Sequence, residues 1–247
     1  KVILEKIVSK VLKIKMERQQ TEMTHGEWRT LNLCSSPYYT LAFGSKQAAK
    51  STGEKNGDSL SCIKLSCGKI IVALSDGMGQ GFAAHAASDD TITLVENFYK
   101  AGLKSDLILP LVNRLLSLKD TDDYSTLDIG VVDLTSGIFD VIKLGSCPTF
   151  IVSGDTVSKI DSAALPIGIL DKINPTTKTL KLGPSDLVVM VTDGVLDAIT
   201  EEKLVGALYS EKSFNPQSLC DKLVDWAKSQ NANDDLTAIA FRLTKSA

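Results

Sequence analysis

Two segments of the chain share a pattern suited to holding a hard metal ion. In each, an apolar run ends in a small hydroxyl residue followed by Asp-Gly, first as Ile70-Ile71-Val72-Ala73-Leu74-Ser75-Asp76-Gly77 and again as Leu187-Val188-Val189-Met190-Val191-Thr192-Asp193-Gly194. A carboxylate at the end of a buried strand is carried on a rigid element, and a glycine after it lets the backbone approach a bound ion or ligand closely. Either Asp-Gly taken alone also reads as a plain turn; the repetition turns the balance toward a site. A third acid, Asp58 in Asn56-Gly57-Asp58-Ser59, opens a predicted strand, and the pair Asp234-Asp235 precedes the last apolar run. Magnesium and manganese prefer oxygen donors and keep several waters, so a few carboxylates converging from different strand ends would suffice.

The rest of the inventory narrows the chemistry. His25 and His85 are the only histidines, and the cysteines Cys34, Cys62, Cys67, Cys147 and Cys220 form no CxxC pair. A zinc site built on His and Cys is therefore disfavoured. The odd cysteine count argues against a disulfide framework and reads as five reduced, mostly buried thiols. No Gly-x-x-x-x-Gly-Lys-Ser/Thr run is present, against a P-loop nucleotide enzyme. Two divalent metals about 3.5–4 Å apart would supply a hydroxide at neutral pH and a positive clamp for a phosphoryl group, with no protein nucleophile needed.

The elements that must position these acids follow from periodicity. Residues 2 to about 18 read as an amphipathic helix, with Val2, Ile3, Leu4, Ile7, Val8, Val11, Leu12 and Ile14 at helical spacing. Tyr38–Gly44 reads as a strand, and Ser59–Leu65 with Lys69–Ser75 as a hairpin around Ser-Cys-Gly. A helix is expected from Ala83 to about Lys100, ended by Gly102, and another within Ser105–Lys119, where Pro110 would remove a backbone donor unless the helix starts later. Strands then run together: 126–134, 138–144, 149–152, 156–160, 179–182 and 186–192. Helices return at about 201–209 and 216–229, before a closing strand at 236–243. Consecutive strands with helix pairs between and after them predict an α+β fold of mainly antiparallel sheet in two packed sheets flanked by helical layers, not a doubly wound parallel sheet.

With 247 residues, 43% of them apolar, the chain can bury a sizeable core as one large domain. The net charge of −3 offers no field to recruit nucleic acid or an anionic membrane. No apolar run approaches the length of a membrane helix and no signal peptide is evident, which predicts a soluble, cytoplasmic chain. It starts at Lys1 and not at Met, as an excised piece of a longer protein would.

In order along the chain, Gly57-Asp58-Ser59, Ser75-Asp76-Gly77-Met78-Gly79-Gln80-Gly81, Leu165-Pro166-Ile167-Gly168, Thr192-Asp193-Gly194 and Asp234-Asp235-Leu236-Thr237 resemble the successive motifs of PP2C-like (PPM) metal-dependent phosphatases. Asp-Gly-Met-Gly-x-Gly before a helix is similar to the stage II sporulation protein E family within them, as are Tyr124-Ser125-Thr126-Leu127-Asp128 and Gly145-Ser146-Cys147-Pro148-Thr149-Phe150. The resemblance covers roughly residues 40–243. It implies a four-layer α-β-β-α sandwich, residues 37–247 as the phosphatase domain, and residues 1–36 as an N-terminal helix and linker that packs on or regulates it. It implies two Mn²⁺ or Mg²⁺ ions, bridged by Asp76, ligated by the Gly77 carbonyl and completed by Asp58, Asp193 and Asp234, with Asp235 as a supporting ligand and a metal-bridging water as nucleophile. The implied substrate is a phosphoserine on an anti-sigma-factor antagonist, whose dephosphorylation promotes sporulation sigma-factor activation. Homodimerisation, and a membrane anchor in the full-length protein that places it at the cytoplasmic face, are further expectations.

Departures bound what the resemblance carries. Where relatives have a phosphate-binding arginine stands Gly53, with Lys50 and Lys55 nearby; where animal-type relatives have histidine after the first Asp-Gly stands Met78; and Gly145-Ser146 replaces a Gly-Asp used for a third metal. Asp128, in an otherwise apolar strand, reads equally as a support for the cleft or as an edge residue facing water. Three other readings compete: a stress-response regulator phosphatase of the same fold, a catalytically silent partner-binding domain, and a receiver-like phosphoacceptor. The receiver needs alternating strands and helices, which the run of strands from 125 to 192 contradicts. The silent domain has no need of four mutually repelling carboxylates.

Overall fold

The computed structural model describes residues 2–18, 23–25, 28–51, 53–79, 81–118, 124–210 and 215–246; Gln80 and Lys119 lie outside them. In chain order the elements are α1 (Val2–Leu12), β1 (Met16–Arg18), β2 (Met23–His25), β3 (Trp28–Thr30), β4 (Leu33–Ser35), β5 (Tyr39–Ala48), β6 (Asp58–Lys64), β7 (Lys69–Asp76), α2 (Gly81–Lys100), α3 (Ser105–Ser117), β8 (Leu127–Asp133), β9 (Ile138–Leu144), β10 (Thr149–Ser153), β11 (Thr156–Ile160), β12 (Thr176–Lys181), β13 (Leu187–Val191), α4 (Asp193–Ile199), α5 (Glu201–Ser210), α6 (Pro216–Ser229) and β14 (Leu236–Lys245). Two five-stranded sheets form, ordered β11-β10-β13-β14-β5 and β12-β9-β8-β7-β6. Every pairing within them is antiparallel.

The layering follows from strands that are apolar on both faces. On β7, Ile71 and Ala73 pack under α2 and α3 with Ile92, Val95, Ile108 and Val112, while Val72 and Leu74 face the second sheet. On β13, Val189 and Val191 pack under α4, α5 and α6, while Val188 and Met190 meet Val72 and Leu74 in the layer between the sheets. Period-two alternation thus sends neighbouring residues into different cores, and the result is an α-β-β-α sandwich. Both Asp-Gly segments sit on central strands of their sheets, which is why the runs before them are apolar without alternation.

The structure corrects several expectations. The first helix stops at Leu12 because Lys13 adopts φ 55°, a left-handed conformation that ends a helix, and Met16–Arg18 then pair with β4. α1 leaves Leu4, Ile7, Val11 and Leu12 exposed. Pro110 sits inside α3, which does not start later; the residue whose carbonyl loses its helical donor, Asp106, is exposed, as is Pro110. The helix α4, from Asp193, was not anticipated. The cysteines are not all free: Cys34 and Cys67 form a disulfide that ties β4 to the turn between β6 and β7, and Cys62 is exposed. Asp128 is no edge residue. It lies on the central strand β8, 1% exposed, and pairs with a fully buried Lys143. Among the described residues, no helix is long and apolar enough to cross a membrane.

Candidate metal centre

Antiparallel register brings the first two acids together. Asp58 begins β6 and Asp76 ends β7, and the two are cross-strand partners at the open end of the hairpin. Asp193, at the start of α4 after β13, arrives from the other sheet, so that Asp58 and Asp193 both act on the Asp76 carboxyl. Burial, then the charges of Asp58 and Asp193, pushes Asp76 up to about 9. Burial likewise pushes Asp58 up to about 6, against the hydroxyls of Thr237 and Thr192, and Asp193 is raised by burial and then by Asp234. Three like charges in a half-dry pocket raise one another's proton affinity, and a cation would relieve them.

Asp58 is held with particular care. Its Oδ2 accepts from Thr237 Oγ1 at 2.6 Å and Thr192 Oγ1 at 3.1 Å, and its amide donates to Asn56 Oδ1 at 2.7 Å. Gln47 Nε2 donates both to the Asp58 carbonyl and to Thr237 Oγ1. Thr192 also accepts from the Thr237 amide, so its hydroxyl is spent joining β13, β14 and Asp58 and does not cap α4. Asp76 is fixed through its backbone, its amide donating to Thr126 Oγ1 at 3.1 Å.

The two glycines have a different purpose from the one expected of them. Neither has a positive φ. A Cβ on Gly77 would lie 1.8 Å from the Ala84 carbonyl oxygen on α2, and one on Gly194 would lie 2.2 Å from the Asp235 carbonyl oxygen. Glycine is thus demanded by protein backbone crossing close by, at the end of β7 and in the first turn of α4. His85 on the same helix bonds the Asn56 carbonyl through Nδ1 at 2.9 Å, and Ser88 Oγ donates to the Gly57 carbonyl at 2.6 Å, so α2 clamps the turn that carries Asp58.

The last two acids divide their work. Asp235 Oδ1 accepts from the Lys50 amide at 2.7 Å and Oδ2 from the Gly57 amide at 2.6 Å, which makes it a tether for the 50–57 loop and leaves it poorly placed to ligate. Asp234 Oδ1 accepts from the Asp235 amide, and the residue lines two adjoining clefts of about 620 and 300 Å³. Asp76 and Asp193 line a smaller cavity of about 90 Å³ with Thr126, Gly145, Ser146 and Cys147. Burial, then Asp193 and Asp76, pushes the Cys147 thiol up to about 12, which makes it a poor nucleophile. Gly53 has φ 91° and open space around it, and Lys55 lies over the Phe82 ring at 5.4 Å. Met78 is exposed.

The donor chemistry fits a hard divalent cation: carboxylate oxygens from three strand or helix ends, with a backbone carbonyl next to one of them. Among the described residues, however, no three acid, histidine or cysteine side chains surround one point closely enough to enclose an ion as they stand. Asp58, Asp76 and Asp193 are together, and Asp234 is near enough to act on Asp193, but the set is open.

The hydroxyls that hold Asp58 were not singled out from sequence. The available signal was a Thr directly before Asp193 and another as the second residue of the last strand, both in otherwise apolar runs.

The family model for stage II sporulation protein E matches residues 66–244. The chain is 34% identical over 222 residues to stage II sporulation protein E of Bacillus subtilis, covering 85% of this chain and 26% of that protein. It is 32% identical over 217 residues to the Priestia megaterium protein, covering 83% and 37%. The chain thus spans between about a quarter and somewhat over a third of the length of these curated relatives. Among solved structures, the PP2C phosphatase domain with a fragment of the regulatory domain of SpoIIE from Bacillus subtilis superposes with a TM-score of 0.83 at 29% identity, covering 100% of this chain and 74% of that one. The same protein's phosphatase domain, in a crystal form without domain swapping, gives 0.68 at 31% identity, covering 86% and 96%. The RsbU and RsbW domains of a Mycobacterium tuberculosis protein share the fold at 19% identity and a TM-score of 0.72, covering 85% and 63%.

Proposed function

Because the chain belongs to the stage II sporulation protein E family, whose phosphatase domains have the PP2C fold, we propose that it hydrolyses phosphoserine on an anti-sigma-factor antagonist and so promotes activation of a sporulation sigma factor. The observation that carries this reading is the meeting of Asp58, Asp76 and Asp193 at the ends of two sheets with no cationic side chain among the groups that shift them. Asp76 is central to the three, and it, the Gly77 carbonyl, Asp58, Asp193 and Asp234 would be the donors that hold two Mn²⁺ or Mg²⁺ ions. Two such ions would supply an activated water and positive charge for the phosphoryl group. The chain's own part is to fix the donors and exclude competitors. Thr192 and Thr237 aim Asp58, the Thr126 hydroxyl sets the end of β7, and Asp235 holds the backbone at Lys50 and at Gly57, next to Asp58. Gly53 brings no side chain, so the chain lacks a guanidinium for the phosphate at that position. Residues 1–36 form the N-terminal attachment, and 37–247 the phosphatase domain.

The test is phosphate release from a phosphoserine-bearing anti-sigma-factor antagonist with added Mn²⁺, for the native chain and for Asp76→Asn. Metal-dependent release that the substitution removes is the expected result. Equal release by both proteins, or none from a folded native chain at millimolar Mn²⁺, would sink the two-metal reading.

A further inference from the structure

We propose that Lys143 is a positioning residue for this site and that it acts through the loop 145–148; the proposal rests on the phosphatase reading above. Asp128, Lys143 and Thr149 all point into the layer between the sheets, the first two from neighbouring strands of one sheet and Thr149 from the start of β10 in the other. Lys143 Nζ donates to Asp128 Oδ2 and, at 2.8 Å, to Thr149 Oγ1, and Thr149 Oγ1 donates to the same Asp128 oxygen at 2.7 Å. All three residues are at most 1% exposed.

This closed triangle staples both ends of one loop. Residues 145–148 leave β9 directly after Lys143 and Leu144 and enter β10 at Thr149, crossing from sheet to sheet. Gly145 pins the loop at its entry: its amide donates to the Ala164 carbonyl at 3.0 Å, its φ is 65°, and a Cβ there would stand 2.6 Å from Pro166. Between the pins, Ser146 and Cys147 form the wall that faces Asp76 and Asp193 across the cavity of about 90 Å³.

Stability alone does not account for the triangle. A buried ion pair is commonly matched or bettered by apolar residues of like volume, and this one leaves Asp128 Oδ1, on β8, buried with no partner; separately, the Ser146 hydroxyl in the loop 145–148 also has none. Such unsatisfied groups cost stability and call for a reason. Fixing the distance between the loop wall and the carboxylates is one the geometry supplies, since small misplacements at a reacting centre are costly.

The test uses Thr149→Val, which keeps the side-chain volume and the ion pair but cuts the link to β10; Thr149→Ser, which keeps the link; and the double variant Lys143→Met/Asp128→Leu, which removes both charges together. Two readouts are taken on variants shown to be folded by circular dichroism. The first is the alkylation rate of Cys147, followed by peptide mass spectrometry with exposed Cys62 as internal reference; it needs no turnover. The second is kcat and KM for Mn²⁺-dependent phosphate release. Thr149→Val and the double variant should speed Cys147 alkylation by about tenfold as the loop opens locally and lower kcat by about tenfold with KM nearly unchanged, while Thr149→Ser behaves as the native chain. Unchanged alkylation in both variants overturns the proposal whatever the activity does, and so does faster alkylation with native kcat. An inactive native chain whose Cys147 still responds would overturn the phosphatase reading and leave the staple standing.

Discussion

Two buried acidic centres lie a strand apart in this molecule and solve the same electrostatic problem in opposite ways. Asp128 is raised by burial but opposed by the ammonium of Lys143, so its charge is balanced from within the chain. Asp76, on the adjacent strand, is surrounded by Asp58 and Asp193 and pushed up to about 9. A carboxylate that brings its own counter-ion is finished when the chain folds. One that meets only other carboxylates calls for a cation from outside, and this difference, more than the number of acids, marks the candidate metal centre.

Substitutions can break that contrast. The largest expected effect is on catalysis: Asp76→Asn should lower Mn²⁺-dependent turnover by on the order of a thousandfold, the several kcal/mol that a metal clamp supplies to phosphoryl transfer. Steady-state phosphate release checks it. At the balanced centre, Lys143→Met alone leaves Asp128 buried and unpaired and should destabilise the fold by roughly 3–5 kcal/mol in urea unfolding. Asp76→Asn should move metal-free stability the other way, upward at neutral pH, because asparagine is neutral in both states and folding no longer has to protonate a buried carboxylate.

Added Mn²⁺ sharpens the comparison. At a hundredfold excess over its dissociation constant it should stabilise the native chain by about 2.7 kcal/mol and Asp76→Asn hardly at all, as read by thermal unfolding. The pH dependence follows from the same acids. Asp58 and Asp76 have folded values of about 6 and about 9, both above the unfolded carboxylate range near 4, so the fold favours their protonated forms. Their stabilising contribution is full below about pH 4 and is lost as pH rises through 6 and then 9. Metal-free melting temperature should fall across that window, and saturating Mn²⁺ should flatten the slope. A metal-free profile that rises from pH 5 to 9 would contradict the arrangement. The smallest effect is expected from Thr237→Val, which removes one hydroxyl from Asp58 and should cost about 1–2 kcal/mol, measured by urea unfolding.

Much of the architecture was legible beforehand because it rests on local and periodic signals. The hairpin of β6 and β7, the long helix ended by Gly102, α6 and the closing strand all follow from apolar period and from turn residues near them. The boundary at Leu12 was not, since Lys13 carries no mark of its left-handed conformation and β1 exists only through its pairing with β4. α4 was hidden because Asp193-Gly194 reads as a turn, and only the crossing of the Asp235 backbone shows why glycine is needed in a helix there. The Cys34–Cys67 disulfide joins residues 33 apart whose proximity no spacing rule predicts.

The sequence by itself determined the candidate donors: which acids end apolar strands, that they offer oxygens, and that no histidine or cysteine set competes. Tertiary structure alone decided their charge state and their division of labour. Register sets Asp58 against Asp76, the packing of two sheets brings in Asp193, and two backbone amides occupy both carboxylate oxygens of Asp235. The physical reason is that a carboxylate's identity is local, while its proton affinity and its partners depend on burial and on charges from distant parts of the chain.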